Sequence, residues 1–313
     1  MPTLKVENLT KDYGHNRGIF DVSFEVNKGE VFGFLGPNGA GKTTTIRHIM
    51  GFSRPQKGSV LVNGRESFKN YYINQKEIGY LPGEIALPEA LTGWEFIHMM
   101  AELRGIKDLS HTNYLIEKFE LDPSGGLKRM SLGMKRKLAI VTAFMHDPAL
   151  LVLDEPTSGL DPIMQEVFID FIKEEKKKGK TILLSSHIFP EVDATCDRIA
   201  IIKDGRIVST VVADDLRHNE SKTFKIEFST TDEFEKFRKA AADLEKFKII
   251  SAKSHRNQVN ILIHDNNIND LFTVISDYKI KFLSEIKFTL EDYFMEFYDR
   301  NNTIEGGDKN VIH

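Results

Sequence analysis

Residues 36–43 read GPNGAGKT and lie between an apolar segment, VFGFL, and a helix-like segment, TTTIRHIMG. The stretch matches GxxxxGK[ST] and stands where that pattern is informative, after a strand and at the start of a helix. Glycines let backbone N–H groups turn inward around an anion, and the helix N-terminus adds its own unpaired N–H groups. We therefore expect a phosphate cradle in which Lys42 reaches the outer phosphates and the Thr43 hydroxyl ligates Mg²⁺.

A second apolar strand, LLVLDE at residues 150–155, ends in two acids. Taken alone, an acidic strand end is also typical of the start of a solvated loop. Together with the glycine-rich loop upstream, it points to chemistry on a phosphate. We expect Asp154 to hold the Mg²⁺ shell through water and Glu155 to polarise the attacking water as general base.

Helix-like and strand-like segments alternate over the first two thirds of the chain. LKVENL, FDVSFEV and VFGFL read as strands near the N-terminus, and ALLVLDE, TILLSS and RIAIIKDG read as strands later. Fully apolar strands between helices indicate an α/β fold with a mainly parallel sheet buried on both faces. Residues 84–146 are mostly helical in pattern, with Trp94, Ile97 and Ala101 on one helix face, and are predicted to form an insertion.

The pattern changes after about residue 218. Strand-like and helix-like segments then follow in the order β-α-β-β-α-β, which is the ferredoxin-like arrangement, and a helix in FTLEDYFMEFY closes the unit. We predict a first domain over residues 1–218, a C-terminal α+β domain over residues 219–300 and a polar, flexible tail over residues 301–313.

Composition excludes several classes of protein. The net charge of −4 offers no excess of cations to neutralise nucleic-acid phosphates, so no nucleic-acid partner is expected. The single cysteine excludes an internal disulfide and fits a reducing compartment. The charged N-terminus does not read as a secretion signal, and no run of about 18 apolar residues occurs. A membrane function would therefore require a partner that spans the bilayer.

Three further motifs complete a series. MSLGM at residues 130–134 precedes a helix-like run, SGLD at residues 158–161 follows the acidic strand end, and His187 follows the strand TILLSS. With these motifs in this order, residues 1–218 resemble the ATP-binding subunit of an ABC transporter. The resemblance implies a P-loop NTPase (RecA-like) core with a β-subdomain and an inserted helical subdomain.

MSLGM occupies the place of that family's LSGGQ signature. Ser131 and Gly133 are kept, whereas Leu132 replaces the first glycine and Met134 replaces glutamine. In the family the signature of one subunit covers the γ-phosphate held by the other, so the resemblance implies a dimer. Ser131 is also a good N-cap for the following helix, and this is the simpler interpretation of MSLGM by itself.

The resemblance also implies roles for single residues. His187 matches the switch histidine that contacts the γ-phosphate and, with Lys42 and Glu155, forms the implied catalytic set. Tyr13 stands where the family keeps an aromatic that stacks on adenine, although it could be an ordinary exposed turn residue. The implied ATP-binding residues are Tyr13, Gly36, Asn38, Gly39, Gly41, Lys42, Thr43, Thr44, Ser131, Gly133 and Asp161.

Residues 78–84, IGYLPGE, depart from the family pattern. The family has glutamine at the position of Gly83, where it joins the Mg²⁺ shell and links the nucleotide to the helical insertion. Glycine has no side chain with which to ligate, so Glu84 is the nearest replacement, and the implied metal set becomes Thr43, Asp154 and Glu84. An acid in a Pro-Gly turn is also an ordinary solvated residue, and both interpretations stay open.

The C-terminal unit resembles the accessory domain of ABC-2-type exporters for drugs, antibiotics and lantibiotics, in its domain order and its closing LEDYFMEFY. The implied function is an ATPase that powers a separate permease from the cytoplasmic face of the membrane, as a homodimer or paired subunit, exporting a drug, antibiotic, peptide or lipid-like compound. The alternative is a non-transport ABC ATPase in DNA repair or translation. Against it, no heptad run separates Lys42 from Ser131, and one glycine-rich loop of this type occurs.

Overall fold

A computed structural model describes residues 2–217, 221–242, 247–287 and 289–299. The chain divides into two compact units, Met1–Ala213 and Asp214–His313. The sequence predicts the boundary after residue 218, which is slightly later. The predicted flexible tail, residues 301–313, lies outside the described residues.

The first unit is built on two sheets and the helices around them. Its strands are β1 (Leu4–Asp12), β2 (Gly18–Val26), β3 (Val31–Leu35), β4 (Lys57–Val62), β5 (Arg65–Glu66), β6 (Ile78–Leu81), β7 (Leu150–Asp154), β8 (Thr181–Ser186), β9 (Arg198–Lys203) and β10 (Arg206–Val212). Its helices are α1 (Lys42–Ile49), α2 (Tyr71–Glu77), α3 (Gly93–Arg104), α4 (Ser110–Lys118), α5 (Leu132–Phe144), α6 (Pro162–Lys177) and α7 (Phe189–Thr195), with a short 3₁₀ turn at Leu127–Arg129.

The larger sheet positions the candidate site. Its six strands lie in the order β10-β9-β3-β8-β7-β6, and all are parallel except the edge strand β10. Strands β3, β7 and β8 are buried along their whole length, as their apolar sequences predict. Because the carboxyl ends of parallel strands meet at one sheet edge, Leu35 lies beside Ser186, and Asp154 beside Ser185.

The smaller sheet is antiparallel, in the order β2-β1-β4-β5, and corresponds to the expected β-subdomain. The sequence predicted β1, β2 and β4 but missed the two-residue β5, the helix α2 and the edge strand β10. Alternate residues of β10 are exposed, so it lacks the fully apolar pattern by which the buried strands were found.

The predicted insertion contains α3, α4 and α5, although its first helix begins only at Gly93. Thr92 and Glu95 form a capping box at the start of α3, and Gly105 ends it in a left-handed conformation. Ile97 and Ala101 are buried as predicted, whereas Trp94, expected on the same face, is 36 % exposed.

One buried cysteine lies beneath the central strand. Cys196 is almost fully buried, and a Cβ added at Gly33 of β3 would come within 2.9 Å of its Sγ. Burial raises the pKa of the Cys196 thiol to about 12.

The second unit shows the predicted order of elements. Helix α8 (Ala213–Arg217) starts at the boundary, and the unit continues through β11 (Ser221–Phe228), α9 (Thr231–Ala242), β12 (Phe247–Lys253), β13 (Gln258–His264), α10 (Ile268–Ile275), β14 (Ile280–Ile286) and α11 (Leu290–Asp299). The strands form an antiparallel sheet in the order β12-β13-β11-β14, which is the split βαβ arrangement. Its core includes Phe228, Phe234 and Phe237.

Across the described parts of both units, no helix is long and apolar enough to cross a lipid bilayer.

Candidate functional site

The glycine-rich loop between β3 and α1 requires glycine at two positions. Gly39 and Gly41 have φ angles of +82° and +111°, which side chains rarely tolerate. At Gly41 an added Cβ would also lie 2.6 Å from the Ile19 side chain. The loop therefore turns its backbone tightly into the N-terminus of α1, where unpaired N–H groups favour an anion.

A cavity of about 500 Å³ opens at this loop. Eight of the predicted residues line it: Tyr13, Asn38, Gly39, Gly41, Lys42, Thr43, Thr44 and Glu155. Pro37 of the glycine-rich motif also lines it, together with Asn16, Arg17, Gly18, Asp204 and Gly205, which no motif had indicated. Tyr13 is 55 % exposed, with the Lys11 ammonium 5.6 Å from its ring centroid, so its outer surface is available to a ligand.

A second cavity of about 510 Å³ lies where β7 and β8 begin, at the opposite edge of the sheet. It is lined by residues such as Lys28, Lys76 and His146, and by none of the predicted site residues. Burial lowers the pKa of His146 to about 4, so this imidazole is neutral near pH 7. The predicted chemistry therefore belongs to the cavity at the glycine-rich loop.

Three predicted catalytic residues form a continuous chain of contacts. The Lys42 ammonium donates hydrogen bonds to the carbonyls of Gly36 and Pro37, at 2.5 and 3.2 Å. It also lies 3.0 Å from Oε1 of Glu155, whose Oε2 lies 2.6 Å from Nδ1 of His187. Glu155 therefore bridges Lys42 and His187.

The backbone of Glu155 has an uncommon conformation. Its φ angle is +48°, in the left-handed region, and its N–H donates to the carbonyl of Ser185 at 2.9 Å. A non-glycine residue in this region costs conformational energy and is often found at functional sites. The strained turn holds the carboxylate directly beyond the end of β7.

Thr43 and Asp154 present hard oxygen atoms at the floor of the site. The Thr43 hydroxyl donates to Oδ2 of the fully buried Asp154 at 2.8 Å, and the Ser185 hydroxyl donates to Oδ1. No cluster of three or more His, Cys, Asp or Glu side chains suited to a metal occurs among the described residues. Mg²⁺ is commonly held by one or two protein oxygens together with substrate phosphates, and Thr43 and Asp154 fit that mode of binding.

The structure does not bring Glu84 to these two residues. Gly83 lies next to Asp154, and a Cβ added to it would be only 3.1 Å from Oδ2. The Glu84 side chain, one position later, is exposed and does not line the cavity. Its role as a magnesium ligand stays a prediction.

The signature residues form a separate group. Ser131 is the N-cap of α5, with Oγ accepting from the N–H of Met134 at 3.2 Å, and Asp161 caps α6 by accepting from Met164 at 3.0 Å. Gly133 faces Gly159, whose carbonyl would lie 3.1 Å from an added Cβ. None of Ser131, Gly133 and Asp161 lines the cavity found within the described chain. The structure therefore does not join the signature to its own chain's nucleotide cavity.

A buried acid that the sequence did not indicate lies behind His187. Oε2 of Glu191 accepts from the Ser186 hydroxyl at 2.5 Å, and the same hydroxyl accepts from the N–H of Ile188 at 3.0 Å. Burial raises the pKa of Glu191 to about 7, against hydrogen bonds from Ser186 and Thr157 that favour the carboxylate. Glu191 thus fixes the turn that carries His187, whereas an acid in IFPEVD reads in sequence as a solvated helix start.

Comparison with known proteins agrees with this geometry. The ABC transporter family model matches residues 19–158. The ABC transporter ATP-binding protein YhcH of Bacillus subtilis is 32 % identical over 94 % of this chain and 95 % of its own length. The chain belongs to the ABC transporter ATP-binding proteins.

Two further ABC transporter ATP-binding proteins are similar. The bacitracin transport ATP-binding protein BcrA of Bacillus licheniformis is 31 % identical over 94 % of this chain and 96 % of its own. A solved ATP-binding subunit of an ABC transporter, 34 % identical, superposes on 69 % of this chain and 92 % of its own with a TM-score of 0.63. The predicted family, P-loop fold and ATPase activity are confirmed.

Proposed function

We propose that the chain is the ATP-hydrolysing subunit of an exporter and that two copies form two composite sites. Each site combines the glycine-rich loop of one copy with Ser131 and Gly133 of the other. The observation that carries the proposal is the chain of contacts from Lys42 through Glu155 to His187, in which Lys42 and Glu155 line the loop cavity. The capped start of α5 does not line that cavity, so it is free to serve a second copy.

Hydrolysis uses the bridge through Glu155. Phosphate oxygens of ATP compete for the Lys42 ammonium, which leaves Oε1 of Glu155 free to accept the proton of the attacking water. His187 and Lys42 then donate toward the charge that develops on the transferred phosphate. The partner's Ser131 and Gly133 add a hydroxyl and helix N-terminal N–H groups to the same oxygens.

Thr43 and Asp154 would hold Mg²⁺, because their oxygens are hard donors already 2.8 Å apart. A bound Mg²⁺ would supply positive charge that offsets the charge of the phosphate groups. The Ser185 hydroxyl on the neighbouring strand donates to Asp154 and so orients the carboxylate that would hold the ion.

The transport role is supported by similarity along nearly the full chain to a protein whose name states bacitracin transport. We propose a partnership with membrane permease subunits, binding at the cytoplasmic face of the membrane, and export of a drug, antibiotic, peptide or lipid-like compound. The names of the relatives concern transport and give no support to a role in DNA repair or translation.

The second unit is proposed to be an accessory domain for packing or dimer contacts.

A mixed dimer tests the composite site. Chains carrying Lys42→Ala are mixed with chains carrying Ser131→Arg, and heterodimers are purified through two different tags. One composite site then carries both defects and the other carries neither. Restored Mg-ATP hydrolysis in the heterodimer, with both parents inactive, supports the proposal, whereas an inactive heterodimer contradicts it.

A further inference from the structure

Arg136 lies in the second turn of α5, five residues after Ser131, and is only 2 % exposed. Its guanidinium donates three hydrogen bonds to backbone carbonyls. Nε donates to Ser158 at 2.9 Å, Nη1 to Pro82 at 2.9 Å and Nη2 to Gly83 at 2.7 Å. A single side chain therefore connects α5 to two separate loops.

Both loops belong to the nucleotide site of the same chain. Pro82 and Gly83 follow β6, and Gly83 lies directly against the Asp154 carboxylate. Ser158 belongs to the turn that begins at Glu155, since its N–H donates to the Glu155 carbonyl at 3.2 Å. Arg136 thus donates hydrogen bonds to both of the loops that adjoin the Asp154–Glu155 pair.

The buried cation is balanced by the acids of the site. Burial lowers the pKa of Arg136, and the charges of Asp154, Glu155 and Glu191 oppose that effect. A buried guanidinium is tolerated where its donors are paired, and here all three of its nitrogens donate to carbonyls. Lysine could not reproduce this planar fork, because an ammonium is a compact donor on a flexible stem.

We propose that Arg136 is a positioning residue that holds the Pro82–Gly83 loop and the Ser158 turn against the base of α5. Through it, the loops around one bound nucleotide and the Ser131 cap offered to the other nucleotide move as one body. Since Gly83 has no side chain with which to link the loop to its surroundings, its carbonyl provides the link. The inference rests on the proposed composite site.

Arg136→Met and Arg136→Lys test this role in the full-length chain. Arg136→Met should lower kcat for Mg-ATP by about 10-fold or more while the Kd for ATP changes less than about 3-fold, because misplaced groups impair turnover more than binding. Arg136→Lys keeps the charge and should still be measurably slower than wild type. If Arg136→Met does not purify as a folded protein, Arg136→Lys decides alone.

Lys180→Met is the matched control. Lys180 is another buried cation, paired with Asp147 and Glu175 at the start of β8, on the sheet edge remote from the site. The Lys180→Met substitution should lower the melting temperature but keep kcat near that of wild type. The inference is overturned if Arg136→Met slows turnover no more than Lys180→Met does, or if Arg136→Lys equals wild type.

Heterodimers separate the two sides of Arg136. With Glu155→Gln in one copy, a single working site remains, built from the loops of the unchanged copy and the Ser131 of the Glu155→Gln copy. Arg136→Met is then placed in one copy or in the other. Both arrangements should be slow, and slowing in only one of them contradicts the coupling. An inactive Lys42→Ala and Ser131→Arg heterodimer would instead contradict the proposed composite site itself.

Discussion

Nδ1 of His187 lies 2.6 Å from Oε2 of Glu155, so the proposed general base is already bound on one side by the residue expected at the γ-phosphate. Lys42 holds the opposite oxygen at 3.0 Å. The Glu155 carboxylate is thus shared between the imidazole of His187 and the ammonium of Lys42. Nucleotide binding has to exchange these partners for phosphate oxygens and water.

Glu155→Gln should retain ATP binding and slow turnover by roughly 10²–10⁴-fold, because it removes a proton acceptor but no phosphate ligand. The ATP-bound dimer should then accumulate, which light scattering coupled to size exclusion with Mg-ATP measures. Glu174→Gln is the control, because Glu174 is a half-buried glutamate of α6 that pairs with Lys118 of α4. Hydrolysis by Glu155→Gln at the wild-type rate would remove Glu155 from its role.

Ser131→Ala should reduce both stability and turnover. Loss of an N-cap costs about 1 kcal/mol of stability. Thr92→Ala removes the cap of α3, outside the proposed site, and should cost a similar amount in a urea unfolding experiment. Of the two variants, only Ser131→Ala is expected to lower kcat, since only Ser131 is proposed to face a phosphate. Equal kcat values in the two variants would argue for a purely structural Ser131.

Glu191→Gln should change how stability depends on pH. Because burial raises the pKa of Glu191 to about 7, the folded chain keeps the proton at pH values where the unfolded chain has lost it. The stabilising contribution of the protonated acid is therefore complete below about pH 4.5 and is lost as pH rises through about 7, by roughly 3 kcal/mol at most. Glutamine stays neutral and does not undergo this loss.

Urea unfolding at pH 5 and pH 8 measures the effect of Glu191→Gln. The stability of the variant relative to wild type should be more favourable at pH 8 than at pH 5. Glu175→Gln, which removes another buried glutamate but one paired with Lys178 and Lys180, should be destabilised at both pH values. A pH-independent difference between Glu191→Gln and wild type would show that Glu191 titrates normally.

Gly83→Ala should raise the Mg²⁺ concentration needed for half-maximal ATPase activity several-fold. The new Cβ would lie 3.1 Å from Oδ2 of Asp154, closer than most carbon contacts, so the carboxylate or the loop has to move. Gly125→Ala is the control, because no atom lies within 4 Å of its added Cβ. Unchanged Mg²⁺ dependence of Gly83→Ala would mean that the loop yields instead of Asp154.

Glu84→Ala tests whether the neighbouring acid replaces the missing glutamine. In the complete membrane complex it should depress partner-stimulated ATPase activity and transport, while ATP binding by the isolated chain changes little. The exposed position of Glu84 requires the loop to rearrange around bound nucleotide for this to occur. Normal transport by Glu84→Ala would make the carboxylate a bystander and leave water to complete the Mg²⁺ shell.

The sequence assigned Thr43 and Asp154 to one Mg²⁺ shell, and the structure places their side chains in contact, because both lie at the carboxyl ends of strands in one parallel sheet. It could not predict the partners of Lys42, since the Gly36 and Pro37 carbonyls and Glu155 compete for it only in the folded loop. Arg136 was missed for a related reason. In KRKLAI it is one of three consecutive basic residues. It is buried because the fold brings two distant loops against the face of α5 from which Arg136 projects, and the sequence does not show this.

Cys196, buried beside Gly33 and with a pKa near 12, has a practical consequence. The thiolate is the nucleophile that attacks a maleimide, so this buried thiol, which stays protonated at neutral pH, should resist the reagent. A single new surface cysteine, for example at the exposed Ile163 beyond the cap of α6, could then be labelled selectively. Spin labels on two copies would make closure around ATP visible as an interspin distance, with no need to remove the native thiol first.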